Sequence, residues 1–342
     1  MRIKLSCTPV LIAMFFSLIL GVFFATFPAS ADAKTIELKM ATDSGTKGTP
    51  SGNSLDLWAK LIEEKTNGEI KVNVYYQGQL GGQQEIFDQF VMGNIDLMIN
   101  WPMTSYDKRL SILYTPYMVL SWEDALTAFK PGGWLNNIFV DLFEKIGLKY
   151  LACWPEGFPG VATKGKYATT IEAAKQLKVR TQPVFPNDIT MQALGYNTAT
   201  IDWNELYTAI QTGVVDGDSG NIIFWDYEYF RDILDYFVHT QHQFITAHLL
   251  MNLEAWNRLD PKNQSVIKET AQIVMEKQFS EAKATDEGYR KKAIDAGIEY
   301  IALSKDEKAQ AIKVAREKVW PEIEKVVGPE IMSQIRKNAS KP

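Results

Sequence analysis

The sequence predicts an α/β fold with two lobes, each a mostly parallel sheet flanked by helices. Short apolar segments alternate with amphipathic segments over residues 36–257, and this alternation is typical of parallel sheets with helices on both faces. The pattern after Asn257 is almost wholly helical. The chain has 342 residues, of which 46% are hydrophobic, so it is long enough to bury more than one core.

Residues 1–33 have the layout of a secretory signal. A basic start at Arg2 precedes an apolar run over residues 10–24, and small residues follow that run. The run is short for a transmembrane helix, so we expect cleavage after Ala31 or Ala33. An uncleaved membrane anchor is the alternative.

The charge of the chain excludes some partners. The formal net charge is −5, and export removes one more basic than acidic residue, which leaves it near −6. A mildly acidic protein has no broad basic face for nucleic acid or anionic lipid, so neither is predicted as a partner. Only Cys153 remains after export, so no intrachain disulfide can form.

The individual elements follow from periodicity. The predicted strands are short and apolar, and they cover residues 36–41, 70–76, 97–100, 148–154, 161–163, 177–180 and 245–252. The predicted helices cover residues 54–65, 122–129, 135–146, 266–296 and 305–327. In the first helix Leu55, Trp58 and Ile62 lie on one apolar face, and Gly68 ends the segment. The last helix is expected to break at Trp320-Pro321.

Two groups of motifs resemble a known family. Residues 193–217 read ALGYNTATIDWNELYTAIQTGVVDG, and Arg180 precedes them in LKVRTQP. Nearer the N-terminus, IELKMATDSG is followed by LDLWAKLIEEKTNGEIKVNVYYQGQLGG. Together these segments resemble the solute-binding subunits of TRAP transporters, the DctP-type periplasmic receptors.

The resemblance implies a fold and a function. It implies a clamshell with a long helix that bridges both lobes, with lobe I at 34–153 plus 245–280 and lobe II at 154–244 plus 281–342. It implies a periplasmic receptor, not an enzyme, that binds a small organic acid between the lobes and delivers it to a membrane permease. No stable membrane anchor is expected after signal cleavage.

Arg180 is the main candidate for ligand binding. It ends a predicted strand, where open α/β sheets place their ligands. A guanidinium group also matches a carboxylate with two parallel hydrogen bonds. In the family that the chain resembles, this arginine holds the ligand carboxylate. The alternative is an ordinary salt bridge, either at the surface or between the lobes.

Further candidates lie on the loops after the predicted strands. They combine amides, which donate and accept hydrogen bonds, with flat rings that suit sugar or aromatic acids. These candidates are Gln83, Asn100, Trp101, Trp154, Phe158, Asn187, Asn221 and Trp225. For each ring, packing in the core is the alternative, and for Asn187 the alternative is a hydrogen bond within its own turn.

The chain departs from the family pattern at two places. Gly220 stands where relatives have an asparagine, so Asn221 is expected to supply the amide. Pro159 stands where many relatives have a second arginine. The missing donor favours a monocarboxylate over a dicarboxylate or a sialate-like acid, and an aromatic acid and a sugar acid stay open.

No cofactor or metal is predicted. Asp216, Asp218 and Ser219 faintly resemble a calcium loop, but the other ligands of such a loop are missing. The three histidines have no zinc-site spacing, and no catalytic motif is present. Two other roles fit the sequence: a sensory protein that presents its ligand to a receptor, and a periplasmic enzyme on the same scaffold.

Overall fold

The computed structural model describes residues 35–342, so the predicted signal peptide at 1–33 lies outside the described residues. Within this range the strands are β1 Ile36–Thr42, β2 Ile70–Tyr75, β3 Leu97–Asn100, β4 Leu148–Gly157, β5 Gly160–Thr163, β6 Lys178–Thr181, β7 Asn197–Thr200, β8 Gly217–Asn221, β9 Tyr236–His239, β10 Ile245–Asn252 and β11 Glu299–Ala302. They form two sheets with the orders β2-β1-β3-β10-β4 and β11-β9-β5-β8-β6-β7.

Each sheet is parallel except for one interior strand. In the first sheet β10 runs antiparallel to both of its neighbours, β3 and β4. In the second sheet β5 runs antiparallel to β8 and β9. Both exceptions are strands that enter directly from the other sheet, β5 after β4 and β10 after β9. The predicted fold class, two mostly parallel sheets with helices, is confirmed.

The helices in residues 35–342 are α1 Pro50–Lys65, α2 Gln83–Val91, α3 Trp122–Phe129, α4 Trp134–Lys145, α5 Ile171–Ala174, α6 Asn187–Ala193, α7 Leu206–Gln211, α8 Ile223–Phe230, α9 Leu253–Asn257, α10 Pro261–Asp295, α11 Lys305–Lys318, α12 Trp320–Val327 and α13 Pro329–Asn338. Helices α1 and α10 begin earlier than predicted because Thr49 and Asp260 cap them and a proline occupies the first helical position. The break at Trp320-Pro321 is confirmed.

Helix α10 packs on elements of both sheets. Near its start, the indole of Trp58 on α1 donates to the hydroxyl of Thr270 at 3.2 Å. In its middle, the amide of Gln278 donates to the carbonyl of Pro155 on β4 at 2.9 Å. Near its end, Tyr289 contacts Phe224 on α8 with ring centroids 4.8 Å apart. The predicted long helix is therefore present, and it connects the two sheets.

The last two helices differ from the predicted partition, which placed 281–342 in lobe II. Helix α12 packs against residues 108–114, and its Trp320 donates to the carbonyl of Pro116 at 2.9 Å. After α13, the backbone N–H of Ser340 donates to the carbonyl of Met118 at 3.1 Å. Apolar side chains of both helices thus bury against the layer of the first sheet. No helix among residues 35–342 combines the length and the apolar character needed to cross a membrane.

Candidate functional site

A cavity of about 40 Å³ lies where the strand ends of the two sheets face each other. The side facing the first sheet, here called the first-sheet wall, consists of Ser44, Gln83, Trp101, Met103, Tyr114 and Glu156. The opposite side, the second-sheet wall, consists of Arg180, Gln182, Pro183, Val184, Trp203, Gly220, Asn221 and Trp225. Most of these residues lie at or just after the carboxyl ends of strands, where open α/β sheets bind ligands.

Arg180 is held rigidly on the second-sheet wall. Its side chain is 1% exposed, and its Nε donates to the carbonyl of Ile201 at 2.9 Å. Its Nη1 donates to Asp218 at 3.2 Å, because the two residues pair in register on β6 and β8. Nη2 has no hydrogen-bond partner among residues 35–342. The guanidinium group is therefore fixed on one side, and it lines the cavity with Nη2 and a second N–H of Nη1 unused.

A second buried carboxyl lies behind this ion pair. Asp226 accepts a hydrogen bond from the amide of Asn221 at 3.0 Å. Burial and the negative charge of Asp218 raise the pKa of Asp226 well above its ordinary value. Burial therefore favours the neutral form of Asp226, and Asp218 is the counter-ion of Arg180. Asn221 lines the cavity, and its amide is oriented by Asp226.

Glu156 faces the cavity from the first-sheet wall, and the sequence reasoning missed it. Ile245 and Thr246 on β10 pair with Gly157 and Pro155, so Glu156 is the extra residue of a β-bulge. A bulge turns a side chain away from the regular alternation, and here it directs Glu156 to the cavity. The only sequence signal was a single acidic residue between Pro155 and Gly157 at the end of an apolar strand.

Two indole groups hold the carboxyl of Glu156. Trp101 Nε1 donates to Oε2 at 2.9 Å, and Trp225 Nε1 donates to Oε1. These donors favour the ionised form, but burial outweighs them and raises the pKa of Glu156 to about 7. Asp43 lies close by, and no salt bridge among residues 35–342 involves it. Burial raises the pKa of Asp43 to about 8.

The four predicted aromatic residues occupy three kinds of position. Trp101 and Trp225 line the cavity with ring centroids 6.3 Å apart, and Trp203, which was not predicted, lies 5.8 Å from Trp225. Trp154 lies behind Trp101 at 5.7 Å and donates to Ser54 at 2.9 Å. Phe158 is in the core, because it packs on Phe244 and Trp122 rather than on the cavity.

The predicted amide residues also differ in position. Gln83, the first residue of α2, lines the cavity. Asn187 does not, because its amide donates to Gln182 at 2.7 Å, and Gln182 lines the cavity in its place. Asn100 is fully buried opposite His248, and neither its oxygen nor its nitrogen has a partner among residues 35–342. Asn100 and Asn187 are therefore not on the cavity wall.

The remaining reactive side chains do not converge. Each histidine bonds a different neighbour: His239 bonds Tyr300, His242 bonds Thr240, and His248 bonds Thr246. Burial raises the pKa of the Cys153 thiol, which leaves it protonated. Among residues 35–342 no three His, Cys, Asp or Glu side chains come together as a metal site.

Comparisons with known proteins cover the whole cavity. Residues 41–325 match the family described as bacterial extracellular solute-binding protein, family 7 (DctP). An uncharacterised protein of Haemophilus influenzae is 31% identical over 74% of this chain and 76% of its own length. The ectoine-binding periplasmic protein TeaA of Halomonas elongata is 25% identical over 77% of this chain and 78% of its own length.

A solved structure has the same fold. It is a TRAP periplasmic solute binding protein from Desulfovibrio salexigens with bound orotic acid, 22% identical, with a TM-score of 0.81. The match covers 89% of this chain and 97% of that protein. All residues of both cavity walls lie inside the stretch that matches the family.

Proposed function

We propose how this chain, which belongs to the family 7 (DctP) bacterial extracellular solute-binding proteins and is a TRAP-type solute receptor, binds its ligand. The carboxylate of a small organic acid docks on the free edge of Arg180. Asn221 and Gln182 contribute amide groups, and Trp101 and Trp225 contribute flat contact area. The ligand then lies between the two walls, out of water, where charge-assisted hydrogen bonds are strengthened.

The state of Arg180 is the observation that carries this proposal. The alternative role for a buried arginine at a strand end is purely structural, as one half of an ion pair. The pairing with Asp218 uses one N–H of Nη1, and the bond to Ile201 uses Nε. Three N–H groups remain, one on Nη1 and two on Nη2, and an adjacent pair with one N–H from each nitrogen has the spacing that a carboxylate needs for two parallel hydrogen bonds.

We propose that the ligand enters when the two lobes separate. The cavity holds about 40 Å³, which is too small for an organic acid to enter without movement. The sheets are joined where β4 passes into β5, where β9 passes into β10, and by α10. Rotation about these crossings would open the cavity, and a ligand that binds the closed state better would shift the population towards it.

The wider role is part of the same proposal. The chain is exported to the periplasm, delivers its ligand to a membrane permease, and releases that ligand chemically unchanged. Support comes from family membership and from a cavity whose wall contains neither a nucleophilic cysteine nor a histidine among residues 35–342. Recovery of a converted product after incubation with the purified receptor would contradict the last point.

The decisive experiment is an affinity measurement on Arg180→Lys. A thermal-shift screen with orotate, succinate and D-glucuronate selects a carboxylate, and calorimetry then compares the variants. We expect Arg180→Lys to bind at least about tenfold more weakly, because an ammonium group cannot form two parallel bonds to a carboxylate. Arg258→Lys, at a surface arginine that pairs with Asp96, serves as the matched control. Equal affinity in the two variants would remove Arg180 from the binding site.

A further inference from the structure

We propose that the cavity contains a second subsite, formed by Glu156 and the indole rings of Trp101, Trp203 and Trp225, which binds a cationic nitrogen of the ligand. The ligand class is then a compact zwitterion, with its carboxylate on Arg180 and its cationic group on Glu156. This inference rests on the proposed role of Arg180, and it narrows the expected monocarboxylate to one that also has a positive charge.

The position of Glu156 is the first argument. The β-bulge directs its side chain to the cavity, and the two indole N–H groups hold the carboxyl in one orientation. Each oxygen accepts one hydrogen bond from an indole and can accept another. The carboxyl is thus a fixed acceptor at a cavity wall, 4% exposed, rather than a mobile surface group.

The charge around Glu156 is the second argument. Arg180 is the only basic residue on either cavity wall within residues 35–342, and its charge is already matched by Asp218. Neither Glu156 nor Asp43 has an ion-pair partner in that range. A buried carboxylate without a cation is costly, and a ligand with only negative charge would add to the cost. A ligand with a cationic nitrogen would supply the missing partner.

The rings are the third argument. Trp203 and Trp225 have ring centroids 5.8 Å apart and Trp101 lies 6.3 Å from Trp225, so three indoles surround the same part of the cavity. Indole faces attract cations, and clusters of aromatic rings bind ligand ammonium groups. The sequence reasoning assigned Trp101 and Trp225 to sugar or aromatic rings, and neither kind of ring carries a positive charge that could pair with Glu156.

A pH dependence follows. The ionisable groups near Glu156 are Asp43, Tyr114 and Arg180, and burial rather than any of these sets its pKa near 7. Binding of a cation needs the ionised carboxylate, so affinity for a zwitterion falls as the pH falls below about 7, and binding near that pH releases a proton. An acid without a positively charged nitrogen does not need Glu156 to be ionised, so it shows neither effect.

The test uses ring-matched pairs of probes. L-Proline is compared with L-pyroglutamate, and pipecolate with cyclohexanecarboxylate, since each pair shares a carboxylate and a ring size but only the first member has a cationic nitrogen. We expect the two zwitterions, proline and pipecolate, to raise the melting temperature of the wild-type protein more than their anionic partners do. We also expect Glu156→Gln to weaken binding of the zwitterions at least about tenfold and that of the anions by less than about threefold.

Controls separate the possible failures. Glu123→Gln, at an exposed position of α3, is the matched control, and thermal unfolding checks that Glu156→Gln is folded. Calorimetry of the wild type in phosphate and in Tris buffer measures proton release without any variant. The subsite is overturned if the zwitterions bind no better than their anionic partners, or if Glu156→Gln binds the zwitterions as tightly as the wild type does. In either case, a loss of carboxylate affinity in Arg180→Lys would still support the proposed function of Arg180.

Discussion

The two sides of the cavity differ in whether their buried charged groups have partners of opposite charge. On the second-sheet side, Arg180 is paired with Asp218, and Asp226 is bonded to Asn221. On the first-sheet side, Glu156 accepts only neutral indole donors, and no salt bridge among residues 35–342 involves Asp43. One side of the cavity therefore contains a complete ion pair, whereas the other contains carboxyl groups that lack a cation.

This difference separates two functions of buried charge. The ion pair with Asp218 fixes the guanidinium of Arg180 before any ligand arrives, so little ordering is needed on binding. When Glu156 is ionised, it instead leaves part of the electrostatic balance to the ligand. A receptor built this way selects its ligand by the charge that the protein lacks, as well as by the charge that it presents.

The largest expected effect concerns the second-sheet wall. Asp218→Asn should lower the free energy of unfolding by about 3–5 kcal/mol, because it leaves Arg180 buried without a counter-ion. Asp226→Asn should change it by less than about 1 kcal/mol, because burial favours the neutral form of Asp226 and an amide oxygen can still accept from Asn221. Urea unfolding at pH 7 measures both. Similar costs in the two variants would show that the ion pair is not the dominant interaction.

An intermediate effect concerns Asp43, which lies next to Glu156 of the first-sheet wall. Burial raises the pKa of Asp43 to about 8, so the folded protein retains a proton that the unfolded chain loses, and stability falls as the pH rises through neutrality. The buried histidines act in the opposite direction, but only below about pH 6.5, where the unfolded chain protonates them.

Between about pH 6.5 and 8 we therefore expect the ligand-free protein to lose about 1 kcal/mol or more through Asp43 alone. Asp43→Asn should flatten this dependence in urea unfolding, and the exposed control Glu123→Gln should not. An unchanged slope in Asp43→Asn would mean that Asp43 is ionised in the folded protein.

The smallest effect distinguishes a ring on the cavity from a ring behind it. Trp225→Phe removes a donor to Glu156 and part of the wall, so it should weaken ligand binding about tenfold. Trp154→Phe removes a bond to Ser54 outside the wall, so it should change binding by less than about threefold. Each should cost about 1 kcal/mol of stability. Calorimetry gives the affinities, and equal losses would erase the distinction between the two positions.

Sequence patterns predicted what depends on local regularity. Six of the seven predicted strands end within one residue of the observed strands, whereas β4 extends three residues further, to Gly157. The break at Trp320-Pro321 is present, and Arg180 lies at the cavity, while its contact with a ligand stays a prediction. Asn100 was misplaced because successive strand residues point to opposite faces, so that Trp101 faces the cavity and Asn100 faces His248. Glu156 could not be predicted, because its direction depends on a bulge in the pairing of β4 with β10.

Glu156 lies beside the passage of β4 into β5, one of the crossings about which the proposed closure would rotate. Only Phe158 and Pro159 separate the end of β4 from the start of β5, so the backbone at Glu156 lies close to the crossing between the sheets. During a rotation, atoms beside the axis move little, whereas Arg180 is carried with the second sheet. A zwitterion would therefore meet a nearly stationary carboxylate in the open receptor, and its acid end would be captured last.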